Sequence, residues 1–300
     1  MRRTALTQNE WMPARDRLRQ PLPPMPPAAS LLGVDFSSAP SRRKPITVAR
    51  GLRRGDTLVL HGVAELPDFV AFEALLAQPG PWLGGFDFPF GLPRLFVDAH
   101  ALGGTPAEVA AALAQRCGSR LGFRALVDAW GNKRPPGQRL IHRRCDTAEP
   151  GVSSSSPLQT RYVPVGFMYV EGVPRLLAAG LTLPGQHAGD PQRVALEAYP
   201  GLLAFEVLGR RSYKNTDDDE RRAARIDLVQ ALKAGRTRLG LALALEPAVE
   251  ASLIDDPSGD RLDAVLCLMQ AAWAIAQPDF GVPDDVDPVE GWITSAGAPR

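Results

Sequence analysis

The chain has 300 residues, a length that allows one large domain or two of ordinary size. Its 45% hydrophobic and 22% charged residues are typical of a folded globular chain rather than a disordered one. The formal net charge of +1 excludes a strongly basic nucleic-acid coat protein and an acidic tail protein. Cys117, Cys145 and Cys267 are too far apart for a disulfide framework or a paired-cysteine metal motif, which favours the reducing cytoplasm.

Residues 1–30 contain six prolines and five arginines, a composition that predicts a flexible N-terminal arm. They lack the apolar stretch of a secretion signal. The longest apolar run, 264–276, is also too short to span a bilayer. We therefore expect a cytoplasmic protein with no membrane partner, whose residues 31–300 form a single domain.

The folded part opens with segments typical of an α/β sheet. Short apolar runs bounded by turn residues predict strands, and a longer run between the third and fourth predicts a helix. The strands are predicted at 31–36, 46–49, 57–61 and 81–86, and the helix at 64–76. Three strands, a helix and a further strand predict the opening of a mixed α/β sheet.

A helical and irregular insertion is predicted at about 93–190. A capping box at Thr105-Pro106-Ala107-Glu108 opens a helix that runs to Arg116, and a second helix follows at 119–130. Residues 131–161 are predicted to be irregular, with six Lys and Arg against two acids. A loop of this length in a compact domain is usually functional or disordered. The chain then returns to a strand at 193–198, an amphipathic helix at 217–234 and a last helix that runs from Asp256-Pro257 to about Ala276.

Three acids stand at the ends of apolar strand-like runs, where burial is expected. They are Asp35 in GVDF, Asp87 in GFDF and Glu197 in LEAYPG. An unpaired buried carboxylate costs several kcal/mol, so a cation is expected to meet these side chains. A hard divalent ion suits oxygen ligands best.

The last helix supplies two further acids. At about 100° per residue, Asp260 and Asp263 share a face with small residues that would let the helix backbone lie close against a sheet. Taken singly, each acid has an ordinary structural explanation as a turn former, a helix cap or a hydrogen-bond acceptor. Pairing of these acids with buried arginines is the corresponding structural alternative. The order strand, strand, strand, helix favours a shared site.

That order resembles the ribonuclease H-like nucleases and resolvases, and Asp260-Arg261-Leu262-Asp263-Ala264 is similar to the Asp/His-x-x-Asp-Ala helix of the Holliday-junction resolvases. The chain from about 31 to 293 resembles the bacterial family known as domain of unknown function 429, whose members are predicted nucleases. The segments that carry this resemblance are GVDFSSAP (33–40), GFDFPFGLP (85–93), Arg144-Cys145-Asp146, Ser156-Pro157-Leu158, 165–180, 197–200, Tyr213-Lys214, GDRLDA (259–264) and 290–293.

The resemblance implies a ribonuclease H-like fold, in which a mixed central sheet of three antiparallel strands followed by parallel strands is flanked by helices. It also implies a hydrolase that cuts phosphodiester bonds with two Mg²⁺ or Mn²⁺ ions. It implies that Asp35 bridges the ions, that Asp87 shares the first, and that Asp263, helped by Asp260, holds the second. Glu197 would bind metal through water or orient the attacking water.

The substrate implied is a structured nucleic acid, and cations are needed to contact its phosphates. The candidates are Arg143 and Arg144 in the basic loop and Lys214. The alternatives are a binding module without catalysis on the same scaffold, and an actin-like ATPase or sugar kinase. The last is disfavoured because the chain has no GxGxxG or Walker-type loop.

Overall fold

The computed structural model describes residues 22–26 and 28–298. Most of the predicted N-terminal arm, residues 1–21 and 27, lies outside them. In its described end, Met25 and Ala29 are buried in the same cluster of apolar side chains as Leu31. The core therefore begins a few residues before the predicted start of the domain at Leu31.

The described chain alternates between strands and helices. The strands are β1 (Ser30–Asp35), β2 (Ile46–Arg54), β3 (Thr57–Leu66), β4 (Trp82–Asp87), β5 (Leu181–Thr182), β6 (Asp190–Glu197) and β7 (Ala242–Ala244). The α-helices are α1 (Phe69–Leu76), α2 (Arg94–Ala99), α3 (Pro106–Cys117), α4 (Arg120–Gly131), α5 (Val165–Ala178), α6 (Pro200–Leu208), α7 (Asp219–Lys233), α8 (Pro247–Ile254) and α9 (Asp260–Ala274).

The seven strands form one sheet in the order β5-β6-β4-β1-β2-β3-β7. The first three strands pair antiparallel, and β4, β6, β5 and β7 join them in parallel. Helices cover the sheet, and α2 to α5 all lie between β4 and β5 in the sequence. The predicted α/β class with a mixed sheet, antiparallel strands first, is confirmed.

The two faces of the sheet carry separate cores because side chains alternate along each strand. On β1, Leu31 packs in the core that contains α9, whereas Leu32 and Val34 pack in the core that contains α3 and α5. On β4, Leu83 and Phe86 divide between the two cores in the same way. Helix α9 therefore covers the face of the sheet to which the odd-numbered residues of β1 and β4 point.

Two glycines bring α9 very close to the sheet. A Cβ at Gly33 of β1 would lie 2.1 Å from the carbonyl oxygen of Ala264. A Cβ at Gly85 of β4 would lie 2.6 Å from the carbonyl oxygen of Cys267. The predicted close approach of the small helix face is thus made, backbone against backbone.

Several boundaries differ from the sequence expectation. Residues 64–66 were expected in a helix but extend β3, because pairing with Ile46–Val48 of β2 continues the ladder. Helix α1 starts only at Phe69, where the Asp68 carboxylate accepts the backbone N–H of Ala71 at 2.8 Å. Helices α2, α5, α6 and α8 and strands β5 and β7 were not predicted from the sequence.

Candidate metal centre

Asp35 and Asp87 end neighbouring parallel strands. They are paired in register on β1 and β4, two residues after the paired glycines Gly33 and Gly85. Because alternate side chains share a face, both carboxylates point to the face covered by α9. The strands thus place two acids side by side below the first turns of that helix.

Asp263 completes the group from above. It lies on α9 beside Ala264 and one turn before Cys267, the two residues whose backbone contacts the sheet. One carboxylate oxygen each from Asp35, Asp87 and Asp263 lies within 4.8 Å of the others. Acids from both ends of the sequence therefore meet in one place.

The carboxylates of Asp35 and Asp87 accept no hydrogen bond from any residue in the described ranges. Burial, followed by the charge of Asp263, raises the pKa of Asp35 well above its usual range. The same two causes raise the pKa of Asp87 to about 7. Because two adjacent carboxylates without hydrogen-bond donors repel each other, their protonated forms are favoured. A divalent cation bound between them would favour the ionised forms instead.

Asp263, in contrast, accepts a hydrogen bond on each of its two carboxylate oxygens. The Tyr213 hydroxyl donates to its Oδ1, and the Lys214 ammonium donates to its Oδ2. Burial lowers the pKa of Lys214, but the charges of Asp263 and Asp87 outweigh that effect and the net pKa is raised. Lys214 therefore provides a fixed positive charge at the edge of the cluster.

The turn before α9 fixes the position of Lys214. Gly259 has φ +80°, and a Cβ on it would lie 2.6 Å from the Lys214 Cβ. The backbone N–H of Asn215 donates to the carbonyl of Pro257 at 3.0 Å. Helix α9 begins at Asp260, with Gly259 as its N-cap, and not at the predicted Asp256-Pro257. The Asp256 carboxylate lies before the helix and accepts the N–H of Arg261 at 3.0 Å. A helix start without a side chain at 259 thus lets the lysine reach Asp263.

Asp260 lies beside the three clustered acids but outside the group itself. It is partly exposed. Burial and the charge of Asp263 raise its pKa, while Lys44 and Lys214 act in the opposite direction. Its position one turn before Asp263 leaves it able to supply a further oxygen ligand.

Glu197 does not join the cluster. In the register of β4 and β6 it pairs with Phe86, whereas Leu196 pairs with Gly85. Glu197 therefore points to the opposite face of the sheet from Asp87. Its carboxylate accepts from Arg143 Nη1 at 2.7 Å and Nη2 at 2.5 Å, and from the N–H of Phe90 at 2.8 Å. The expectation that it binds metal or water with the other acids is not retained.

Arg143 is a structural partner rather than an exposed one. Its side chain is 1% exposed and also donates to Asp146 at 2.8 Å. A second close group, Cys145, Asp146 and Glu197, is occupied by this guanidinium. The predicted contact of Arg143 with a phosphate is therefore withdrawn. Arg144 is exposed, pairs with Asp285 at 2.6 Å and lies over the Trp292 ring.

A cavity of about 300 Å³ adjoins Lys214. Aromatic side chains, Tyr199 and Phe205, and basic ones, Arg210 and Arg211, contribute to its wall together with Tyr213 and Lys214. None of the described residues that line it is acidic. Arg210 and Arg211 were not predicted, and their only sequence signal is that they directly precede the Tyr213-Lys214 segment.

Comparisons with family models, curated proteins and solved structures return no match for this chain. Among the described residues, no helix combines the length and apolar character needed to cross a membrane. The site must therefore be interpreted from its own chemistry.

Proposed function

We propose that the protein is a metal-dependent nuclease that hydrolyses phosphodiester bonds with Mg²⁺ or Mn²⁺. The observation that carries this proposal is the convergence of Asp35, Asp87 and Asp263, with the first two unpaired. A strand acid, a second strand acid and a final-helix acid on a mixed sheet also agree with the resemblance to ribonuclease H-like proteins of the domain of unknown function 429 family.

The donor set suits a hard divalent ion. Asp35 and Asp87 offer only carboxylate oxygens, the ligands that Mg²⁺ prefers, and no described cation contacts them directly. Such an ion would lower the pKa of a bound water and offset the charge of a phosphate. Tyr213 and Lys214 hold the carboxylate of Asp263 in one orientation.

The surroundings suit a nucleic-acid substrate. Lys214 and Arg210 place positive charge around one cavity beside the acids, together with Arg211, whose guanidinium also pairs with Asp227 at 2.7 Å. The Phe205 ring in the same wall offers a surface for stacking a base. The cavity thus offers cationic groups for phosphates and an aromatic ring for a base, although the whole chain is nearly neutral.

The test is cleavage by purified protein of a panel of branched, hybrid and single-stranded substrates in Mn²⁺. Asp35→Asn removes a metal ligand and should reduce cutting more than about 100-fold, since even outer-shell changes cost 10- to 100-fold. The matched control is Asp56→Asn, at the opposite end of the sheet, whose side chain is 90% exposed. Equal cutting by wild type and Asp35→Asn would overturn the proposal.

One observation favours a second candidate function, a nucleic-acid-binding module without catalysis. Asp263 already has a cationic partner in Lys214 and needs no metal for neutralisation. Such a module would bind the same substrates in EDTA as tightly as in Mn²⁺ and would cut none of them. The nuclease proposal expects cutting that stops on chelation.

A further inference from the structure

Asp263 differs from the two other acids of the cluster because both of its carboxylate oxygens accept a hydrogen bond. Oδ1 accepts from the Tyr213 hydroxyl and Oδ2 accepts from the Lys214 ammonium. The carboxylates of Asp35 and Asp87 accept none from residues 22–26 or 28–298. The cluster therefore has one open side, between the strand ends, and one side that already holds a cation.

The charges of the cluster also distinguish the Asp35–Asp87 side from the Asp263 side. The three clustered carboxylates carry three negative charges when ionised, and Lys214 offsets one of them. The two charges that remain match a single divalent ion. A second ion next to Asp263 would have to approach within a few ångströms of the ammonium group, where like charges repel strongly.

Lys214 is also held in place rather than merely nearby. The turn at Gly259 and the Asn215–Pro257 hydrogen bond fix its backbone, and its own carbonyl accepts from Arg221 Nε at 3.2 Å. Its side chain is 38% exposed and lines the adjoining cavity, while its ammonium donates to Asp263.

We propose that the site binds one divalent ion, between Asp35 and Asp87, and that the Lys214 ammonium takes the place of a second ion on the Asp263 side. This inference rests on the proposed function and replaces the two-ion arrangement implied by the resemblance. Lys214 then has two roles: it orients Asp263, and it presents a positive charge to a phosphate in the cavity.

The test counts bound Mn²⁺ by isothermal titration and by the loss of the free-ion electron paramagnetic resonance signal. Wild type and Lys214→Arg should bind one ion per chain. Lys214→Met should bind two, because removal of the ammonium frees Asp263 and lets Asp260 join it. The control Lys44→Met removes a charge near Asp260 but contacts no clustered acid, and should stay at one ion.

Two ions in wild type, or one in Lys214→Met, would overturn the lysine assignment and leave the proposed nuclease standing. No binding to wild type would overturn both. Lys214→Gln is a second variant in case the methionine disturbs folding, and it should also bind two ions. Thermal unfolding in EDTA checks that each variant is folded.

Discussion

The contact between α9 and the sheet sets the geometry of the site, and Gly33→Ala tests it. The new Cβ would lie 2.1 Å from the Ala264 oxygen and 2.3 Å from the Leu268 nitrogen. Ordinary contact begins at 3.4 Å, so the helix must retreat by about 1.3 Å. Backbone atoms cannot rotate away as a side chain can, so the whole helix must shift.

We expect Gly33→Ala to lower the free energy of unfolding by about 3 kcal/mol, the upper end for an overpacked core. The shift also draws Asp263 away from Asp35, so Mn²⁺ affinity should fall about 10- to 100-fold. Urea denaturation gives the first quantity and isothermal titration gives the second.

Alanine substitutions at two other glycines should destabilise the protein less than Gly33→Ala. Gly85→Ala meets the Cys267 oxygen at 2.6 Å and should destabilise the protein less than Gly33→Ala. Gly62→Ala on β3 has no described atom within 4 Å of the new Cβ and should be tolerated. If Gly33→Ala and Gly62→Ala unfolded alike and bound Mn²⁺ alike, the close packing of α9 would not position the site.

Two further predictions concern single acids. Burial and Asp263 raise the pKa of Asp87 to about 7, so without metal its charge costs stability increasingly as the pH rises from about 4 through 7. Asp87→Asn should therefore raise the melting temperature relative to wild type more at pH 8 than at pH 4 in EDTA; an equal difference at both pH values would contradict this. Glu197→Gln leaves the buried Arg143 with Asp146 but without its second charged partner, and should cost about 3 kcal/mol, the lower end for a broken buried ion pair, in urea denaturation, with Mn²⁺ affinity unchanged. A loss of Mn²⁺ binding with normal stability would return Glu197 to the metal site.

Much of the site could be predicted from the sequence because its signals are local. An acid at the end of an apolar run marks Asp35 and Asp87, and helical spacing places Asp263 on the small face of α9. The strand order then brings these acids together, since parallel neighbours end at the same edge of a sheet.

The role of Glu197 could not be predicted with the same ease. It also ends an apolar strand, but the register of β6 against β4 turns it to the other face. Its partner Arg143 lies in a long basic segment that has the composition of a solvated loop, yet its side chain is almost fully buried. A one-residue difference in register and a long-range ion pair leave no local signal in the chain.

The most direct test of the central claim is the anomalous difference map of a crystal soaked in Mn²⁺. We predict a peak within about 2.5 Å of carboxylate oxygens of both Asp35 and Asp87, the range for hard divalent ions. A map without a peak between these two side chains at millimolar Mn²⁺ would contradict the account.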